Sequence, residues 1–94
     1  MASYLVGHIT VKDEGLWKHY VAGVKDSLSA FESNVIFRGK LVSTLAGSHV
    51  HDRVVVIEFE NHETLDDWFN SDKYQSLIPL RDRAADMVLT TYES

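Results

Sequence analysis

The alternation of apolar and polar residues predicts four β-strands. The segment Arg53–Phe59 is apolar at nearly every position, and its three valines and one isoleucine favour extended backbone. A strand of this kind has no face left for water, so both of its faces must be covered. Alternating segments predict three further strands, at residues 4–11, 35–45 and 87–92.

Helical spacing of apolar residues predicts the other main elements. The stripe between Leu16 and Phe31 indicates one amphipathic helix of about four turns, with Asp13 as its N-cap. A shorter helix is predicted to begin after Asn61 and to turn its large apolar residues inward. Ser71 is predicted to cap a single turn, and Pro79 to stand at the first position of another.

The order strand, helix, strand, strand, helix, strand predicts a ferredoxin-like α+β fold. We expect one domain over residues 1–94 with a four-stranded antiparallel sheet of order 4-1-3-2. Right-handed crossovers place both helices on one face of that sheet. The other face would carry exposed apolar side chains, namely Tyr4, Val6, Ile36, Val42, Val54 and Val56. An exposed apolar face indicates association, so we predict a homodimer packed sheet to sheet.

Composition and charge exclude several classes of function. The net charge is −5 and the nine basic residues are scattered, so we expect neither nucleic acid nor membrane as a partner. The absence of cysteine removes disulfides, thiolate nucleophiles and cysteine-ligated zinc. The first residues lack the features of a signal peptide, which predicts a cytoplasmic protein.

Three charged or titratable residues share the uncovered face if the alternation is regular: His8, Arg38 and Glu58. As a catalytic set, His8 would be a general base, Arg38 would hold a carboxylate or enolate oxygen, and Glu58 would set the histidine tautomer. The alternative is a cluster that fixes the register of two packed sheets and is mutually satisfied, since unpaired buried charge is costly. We favour this alternative because structural ion-pair networks are common at such interfaces. A register slip of one residue would separate the three side chains.

Aromatic residues and one arginine are the candidates for ligand contact. Tyr20, Trp68 and Tyr74 are core residues by default, but aromatic side chains with polar tips also line ligand clefts. Arg81 is either a surface residue or an anion clamp at the rim of such a cleft. The pair His49 and His51 lacks a further ligand at zinc-type spacing, so we predict no metal site.

The chain resembles a small bacterial family, number 1330 among the domains of unknown function. The resemblance is carried by Arg38-Gly39, Leu45 with Gly47, Arg53–Phe59, Trp68-Phe69 and a distinctive segment, Ser71 to Arg81, of pattern Ser-x-x-Tyr-Gln-x-Leu-x-Pro-Leu-Arg. The resemblance implies the dimeric α+β barrel superfamily. That superfamily includes cofactor-independent monooxygenases, isomerases, haem-degrading proteins and amino-acid sensors, whereas the family itself implies no activity.

The function that the sequence predicts is binding of a small aromatic or carboxylate metabolite by a homodimer. One alternative is a cofactor-independent monooxygenase or isomerase, and another is an assembly or stress protein without catalysis. No cofactor is predicted, and haem binding is less favoured than any of these functions.

Overall fold

The predicted order of elements is confirmed by a computed structural model that describes all 94 residues. The strands are β1 (Ser3–Val11), β2 (Ser33–Lys40), β3 (Arg53–Phe59) and β4 (Ala85–Glu93). The helices are α1 (Glu14–Leu28), α2 (His62–Phe69), α3 (Asp72–Gln75) and α4 (Ile78–Ala84). The four strands form one antiparallel sheet of order β2-β3-β1-β4, as predicted, and the fold is ferredoxin-like.

The helix starts follow the predicted caps. Asp13 accepts a hydrogen bond from the backbone N–H of α1 at 2.9 Å, and Asn61 does the same for α2 at 2.8 Å. Ser71 caps α3 in the same way at 3.3 Å. Pro79 is the second residue of α4, one position later than predicted. The first backbone N–H groups of a helix have no acceptor within it, so the N–H that proline lacks costs no helical hydrogen bond here.

The core lies between the helices and one face of the sheet. Its fully buried members come from β1, β3 and all four helices: Leu5, Tyr20, Ile57, Phe59, Leu65, Trp68, Tyr74 and Ala84. The indole N–H of Trp68 donates to the hydroxyl of Ser27 at 2.9 Å, so the largest core side chain leaves no polar atom unpaired. This arrangement confirms that the helices cover the same face.

Strand β2 departs from the predicted alternation because it contains a bulge. Val35 pairs with Ile57 of β3, but the adjacent β3 residue, Val56, pairs with Phe37, which leaves Ile36 as an extra residue. From this bulge onward the two faces of β2 are exchanged. Arg38 pairs with Val55 and therefore lies on the helix side of the sheet.

Strand β2 also ends at Lys40, five residues before the predicted end at Leu45. A loop then runs from Leu41 to Asp52, whose backbone groups close it with a hydrogen bond of 2.7 Å. Val42, expected on the outer face of the sheet, instead belongs to this loop and is almost fully exposed.

The outer face of the sheet carries no helix. Partly exposed apolar side chains cover it from edge to edge, and Phe37, Val88 and Tyr92 are each about half exposed. The apolar character predicted for this face is therefore confirmed. None of the helices has the length and apolarity needed to cross a membrane.

Candidate functional site

A cavity of about 310 Å³ lies between α1 and the helix side of the sheet. Its sixteen lining residues come from α1, α2 and all four strands, and twelve of the sixteen are hydrophobic. The side-chain wall is formed mainly by Leu5, Ile9, Trp17, Tyr20, Val21, Val24, Val55, Ile57, Trp68, Met87 and Leu89. A mostly apolar cavity of this size lies at the lower end of the range for small-molecule sites.

Gly7 shapes the floor of this cavity at the centre of β1. It lies between Val55 of β3 and Leu89 of β4, and a Cβ atom placed there would approach their side chains to 3.0 and 3.1 Å. Those two side chains therefore lean over a position that has no side chain of its own. A larger residue at Gly7 would force these two side chains, which line the cavity, to move.

Three basic residues border the cavity at the β2–β3 edge of the sheet: Arg38, Lys40 and Arg53. Lys40 is the direct cross-strand partner of Arg53, and Arg38 lies two residues along the same face of β2. Arg53 forms an ion pair of 2.6 Å with Glu14 in the first turn of α1. The cavity therefore combines an apolar interior with a positively charged mouth.

The chemical groups inside the cavity are aromatic rather than acidic. The rings of Trp17 and Tyr20 lie 5.4 Å apart on the α1 wall. No histidine, aspartate or glutamate lines the cavity. The groups that most often act as general bases are thus missing from its surface.

The hydroxyl of Tyr20 is engaged behind the cavity wall. It forms a hydrogen bond of 2.9 Å with the hydroxyl of Tyr74, which in turn accepts one of 3.2 Å from Arg81. Burial, followed by the proximity of Tyr74, raises the pKa of Tyr20 well above its ordinary value. Tyr20 therefore contributes a neutral phenol ring.

The four predicted ligand contacts separate into two groups. Tyr20 and Trp68 line the cavity. Tyr74 is fully buried and does not reach the cavity, and Arg81 borders a different depression, near His51. Burial works to lower the pKa of Arg81, but its contacts with Tyr74 and Asp82 outweigh that effect and the pKa is raised. Arg81 acts as a fixed cation that supports the tyrosine pair.

The predicted set of His8, Arg38 and Glu58 is not brought together. His8 lies on the outer face, whereas the bulge in β2 places Arg38 on the helix side. Glu58 shares the outer face with His8, but it pairs with Tyr4 and accepts a hydrogen bond of 3.2 Å from it. His8 and Tyr4 are four residues apart on β1, so about 13 Å separates their positions along the strand. The expectation of one polar cluster is wrong.

His8 instead has histidine neighbours from the loop that follows β2. Its ring centroid lies 5.4 Å from that of His49, and His51 is bound to Thr10 at 3.0 Å. These side chains line a small depression on the outer face. No group of three histidine or acidic side chains is arranged to hold a metal ion.

Residues 2–94 match the sequence model of a family described as a domain of unknown function, DUF1330. The chain belongs to this family. The resemblance carried by Ser71 to Arg81 is thereby confirmed. Comparison with curated proteins yields no match.

Solved structures similar to this DUF1330 protein share its fold at low sequence identity. A protein of unknown function from Rhodopseudomonas palustris superposes with a TM-score of 0.85 at 12% identity, covering 99% of this chain and 82% of the other. SnoaB, a cofactor-independent oxygenase from Streptomyces nogalater, has a TM-score of 0.72 at 7% identity, with 99% and 92% covered. A dimeric ferredoxin-like protein of unknown function from Jannaschia sp. CCS1 has a TM-score of 0.69 at 12% identity, and both chains are covered completely.

Of the sixteen residues that line the DUF1330 cavity, the sequence predicted Tyr20, Trp68 and Arg38 as site residues, and it did not single out the cations Lys40 and Arg53. Trp17 belongs to the apolar stripe of α1, so the pattern placed it on the inner side without distinguishing a packed core from a cavity wall. The spacing of Arg38 and Lys40 placed both on one face of β2, but only the bulge determines which face.

Proposed function

We propose that this DUF1330 protein binds a small, mostly apolar organic molecule in the cavity between α1 and the sheet. The observation that carries this proposal is an apolar space at the centre of the domain, bordered by two aromatic rings of α1 and by cations at one end. Protein interiors are normally packed without voids of this size, so an open apolar cavity is a candidate ligand site.

Binding is favoured over catalysis by the chemistry of the cavity wall. A reaction that begins with proton removal needs a base within hydrogen-bond reach of the substrate. His8, the base considered from the sequence, lies on the opposite face of the sheet. Tyr20 is held neutral by burial and by its bond to Tyr74.

We also propose that the protein is a homodimer that packs through the outer face of the sheet. The partly exposed valines of β1, β3 and β4 form a continuous apolar surface there, flanked by Phe37 and Tyr92. A surface of this kind favours association, and a two-fold pairing covers it on both copies at once. The dimeric description of the Jannaschia structure agrees with this proposal.

A second candidate function is cofactor-independent oxygenation, suggested by the similarity to SnoaB. The observation in its favour is that Arg38 and Lys40 border the cavity, where they would stabilise an enolate or phenolate oxygen. Oxygen-electrode assays on every compound that binds would distinguish the two candidates. Oxygen consumption that is lost in an Arg38→Gln variant would favour the enzyme.

Binding in the cavity is tested by filling it. We expect a thermal-shift screen of aromatic acids, amides and alcohols to give compounds that raise the melting temperature, because ligands of the folded state stabilise it by mass action. Val24 lines the cavity and Ala22 is exposed on the same helix. The variant Val24→Phe should abolish the shift, and Ala22→Phe should keep it. Equal shifts in both variants would place the ligand elsewhere.

A further inference from the structure

The cations at the cavity mouth form a concentrated site in an otherwise acidic protein. The chain has nine lysines and arginines and a net charge of −5, yet three of the nine border this one cavity. Lys40 and Arg53 face each other directly across β2 and β3, with Arg38 beside them. Like charges directly opposed on a sheet repel, and within the protein Glu14 offsets the charge of Arg53 alone.

Only one of the three cations has an anionic partner in the protein. Arg53 is paired with Glu14 at 2.6 Å, whereas no carboxylate lies within 4.0 Å of Arg38 or Lys40. Both side chains are exposed and border the apolar interior. A ligand that entered the cavity with an acidic group trailing at the mouth would meet both of them.

We propose that the ligand is an organic acid with a flat apolar body and one carboxylate, and that Arg38 and Lys40 bind the carboxylate. This inference rests on the cavity being the binding site. The planar guanidinium of Arg38 matches a carboxylate through two parallel hydrogen bonds, and Lys40 adds a second charge. The rings of Trp17 and Tyr20 accept the apolar body.

A carboxylate fits this mouth better than a phosphate does. Phosphate sites commonly add backbone N–H groups from a helix N-terminus or a glycine-rich loop. The N-terminus of α1 is already capped by Asp13, and Glu14 lies in its first turn. Those two carboxylates would repel a dianion that approached the helix end.

Three compounds with the same apolar body test the inference: 2-naphthoate, 2-naphthamide and 2-naphthyl phosphate. Calorimetric titration should give a dissociation constant for the acid at least about tenfold below that of the amide in the wild-type protein. Arg38→Gln should reduce this preference to about threefold or less, because it weakens binding of the acid more than binding of the amide. Lys25→Gln removes the same charge from an exposed position of α1 and should leave the preference intact.

Five outcomes would overturn the inference. Equal binding of acid and amide, with both lost in Val24→Phe, would refute the carboxylate site and leave the cavity proposal standing. Tighter binding of the phosphate would assign the mouth to phosphate esters. If Arg38→Gln and Lys25→Gln lowered the preference for the acid equally, that preference would depend on the overall charge of the protein and not on a site at the cavity mouth. Aggregation of Arg38→Gln with unchanged preference would mean that the cation only protects an edge strand. Failure of all three compounds, with no compound of the wider screen sensitive to Val24→Phe, would remove the cavity proposal itself.

Discussion

The two faces of the sheet differ in what covers them and in where polar chemistry lies. The inner face is closed by four helices, and its side chains form the core and the cavity. The outer face carries valines, a histidine and an acidic residue with no helix packed over them, and the loop that follows β2 reaches this face at His8. Side chains change face only in β2, where the bulge at Ile36 places Arg38 on the inner face.

This difference shows how one extra residue can create a binding site. Regular alternation would place both Arg38 and Lys40 outward, where they would disturb an apolar surface. With the bulge, the same two cations border an apolar cavity instead. Bulges often reorient side chains next to functional sites, and this one reorients every residue of β2 that follows it.

The largest expected effect is a loss of folding stability when a core side chain of the inner face is truncated. Trp68 is 1% exposed, and its truncation in Trp68→Ala should lower the free energy of unfolding by about 3–5 kcal/mol. Chemical denaturation monitored by far-UV circular dichroism would measure it. The matched truncation Phe37→Ala, on the outer face, should cost the isolated fold much less. Equal costs for the two variants would contradict the assignment of the core to one face.

The next effect concerns the outer face. Val56→Asp places a charge at the centre of the proposed interface, where desolvation should weaken dimerisation by a factor of about one hundred or more. Analytical ultracentrifugation over a range of concentrations would measure the shift toward monomer. Ala22→Asp, on the exposed side of α1, is the control and should remain dimeric. A Val56→Asp protein that dimerises normally would exclude sheet-to-sheet packing.

The buried pair of Tyr20 and Tyr74 should make the stability of the folded protein depend on pH in the alkaline range. Because the folded-state pKa of Tyr20 is raised above the ordinary value of 10.0, its stabilising contribution is complete below pH 10 and is lost as the pH rises further. Each pH unit above 10 should cost up to about 1.4 kcal/mol until the folded protein ionises. Urea denaturation at pH 9, 10 and 11 would measure this slope.

The variant Tyr20→Phe should weaken that alkaline loss of stability. It removes the titrating hydroxyl and keeps the ring that lines the cavity. Tyr92→Phe, which removes a hydroxyl that makes no hydrogen bond within the subunit, serves as its control and should retain the wild-type slope. A slope that is unchanged in Tyr20→Phe would assign the alkaline sensitivity to other groups.

The smallest effect concerns the ion pair at the mouth. Glu14→Gln should release Arg53 toward a bound carboxylate and tighten 2-naphthoate binding by about two- to fivefold, the scale of an exposed ion pair. Calorimetry against the wild-type protein would detect it. The control substitution Asp26→Asn, which removes a carboxylate paired with Lys73 at the other end of α1, should leave affinity unchanged. Weaker binding in Glu14→Gln would mean that the ion pair positions Arg53 for the ligand.

The helix caps and the core face were predictable because they depend on local sequence. Asp13, Asn61 and Ser71 each bind backbone N–H groups three residues later, so a short window contains both donor and acceptor. The run Arg53–Phe59 likewise carries its strand propensity within itself, and its predicted bounds are those observed.

The binding site could be predicted only in part. Tyr20 and Trp68 were identified because aromatic residues on inward stripes either pack in the core or line clefts. The placement of Tyr74 behind Tyr20, and of Arg81 behind both, depends on how α3 and α4 pack against α1. No residue pattern within α4 indicates whether Arg81 points toward the cavity or supports its wall.

The sequence by itself determined the order of the strands and helices, their caps and the fold, because periodicity and capping act over a few residues. The tertiary structure decided which face Arg38 occupies, that Gly7 lies beneath Val55 and Leu89, and that His8 and Glu58 remain apart. These outcomes depend on pairing between strands that are distant in sequence. Cross-strand register reverses a side chain's direction with a shift of one residue, and nothing in the local pattern of β2 reveals that shift.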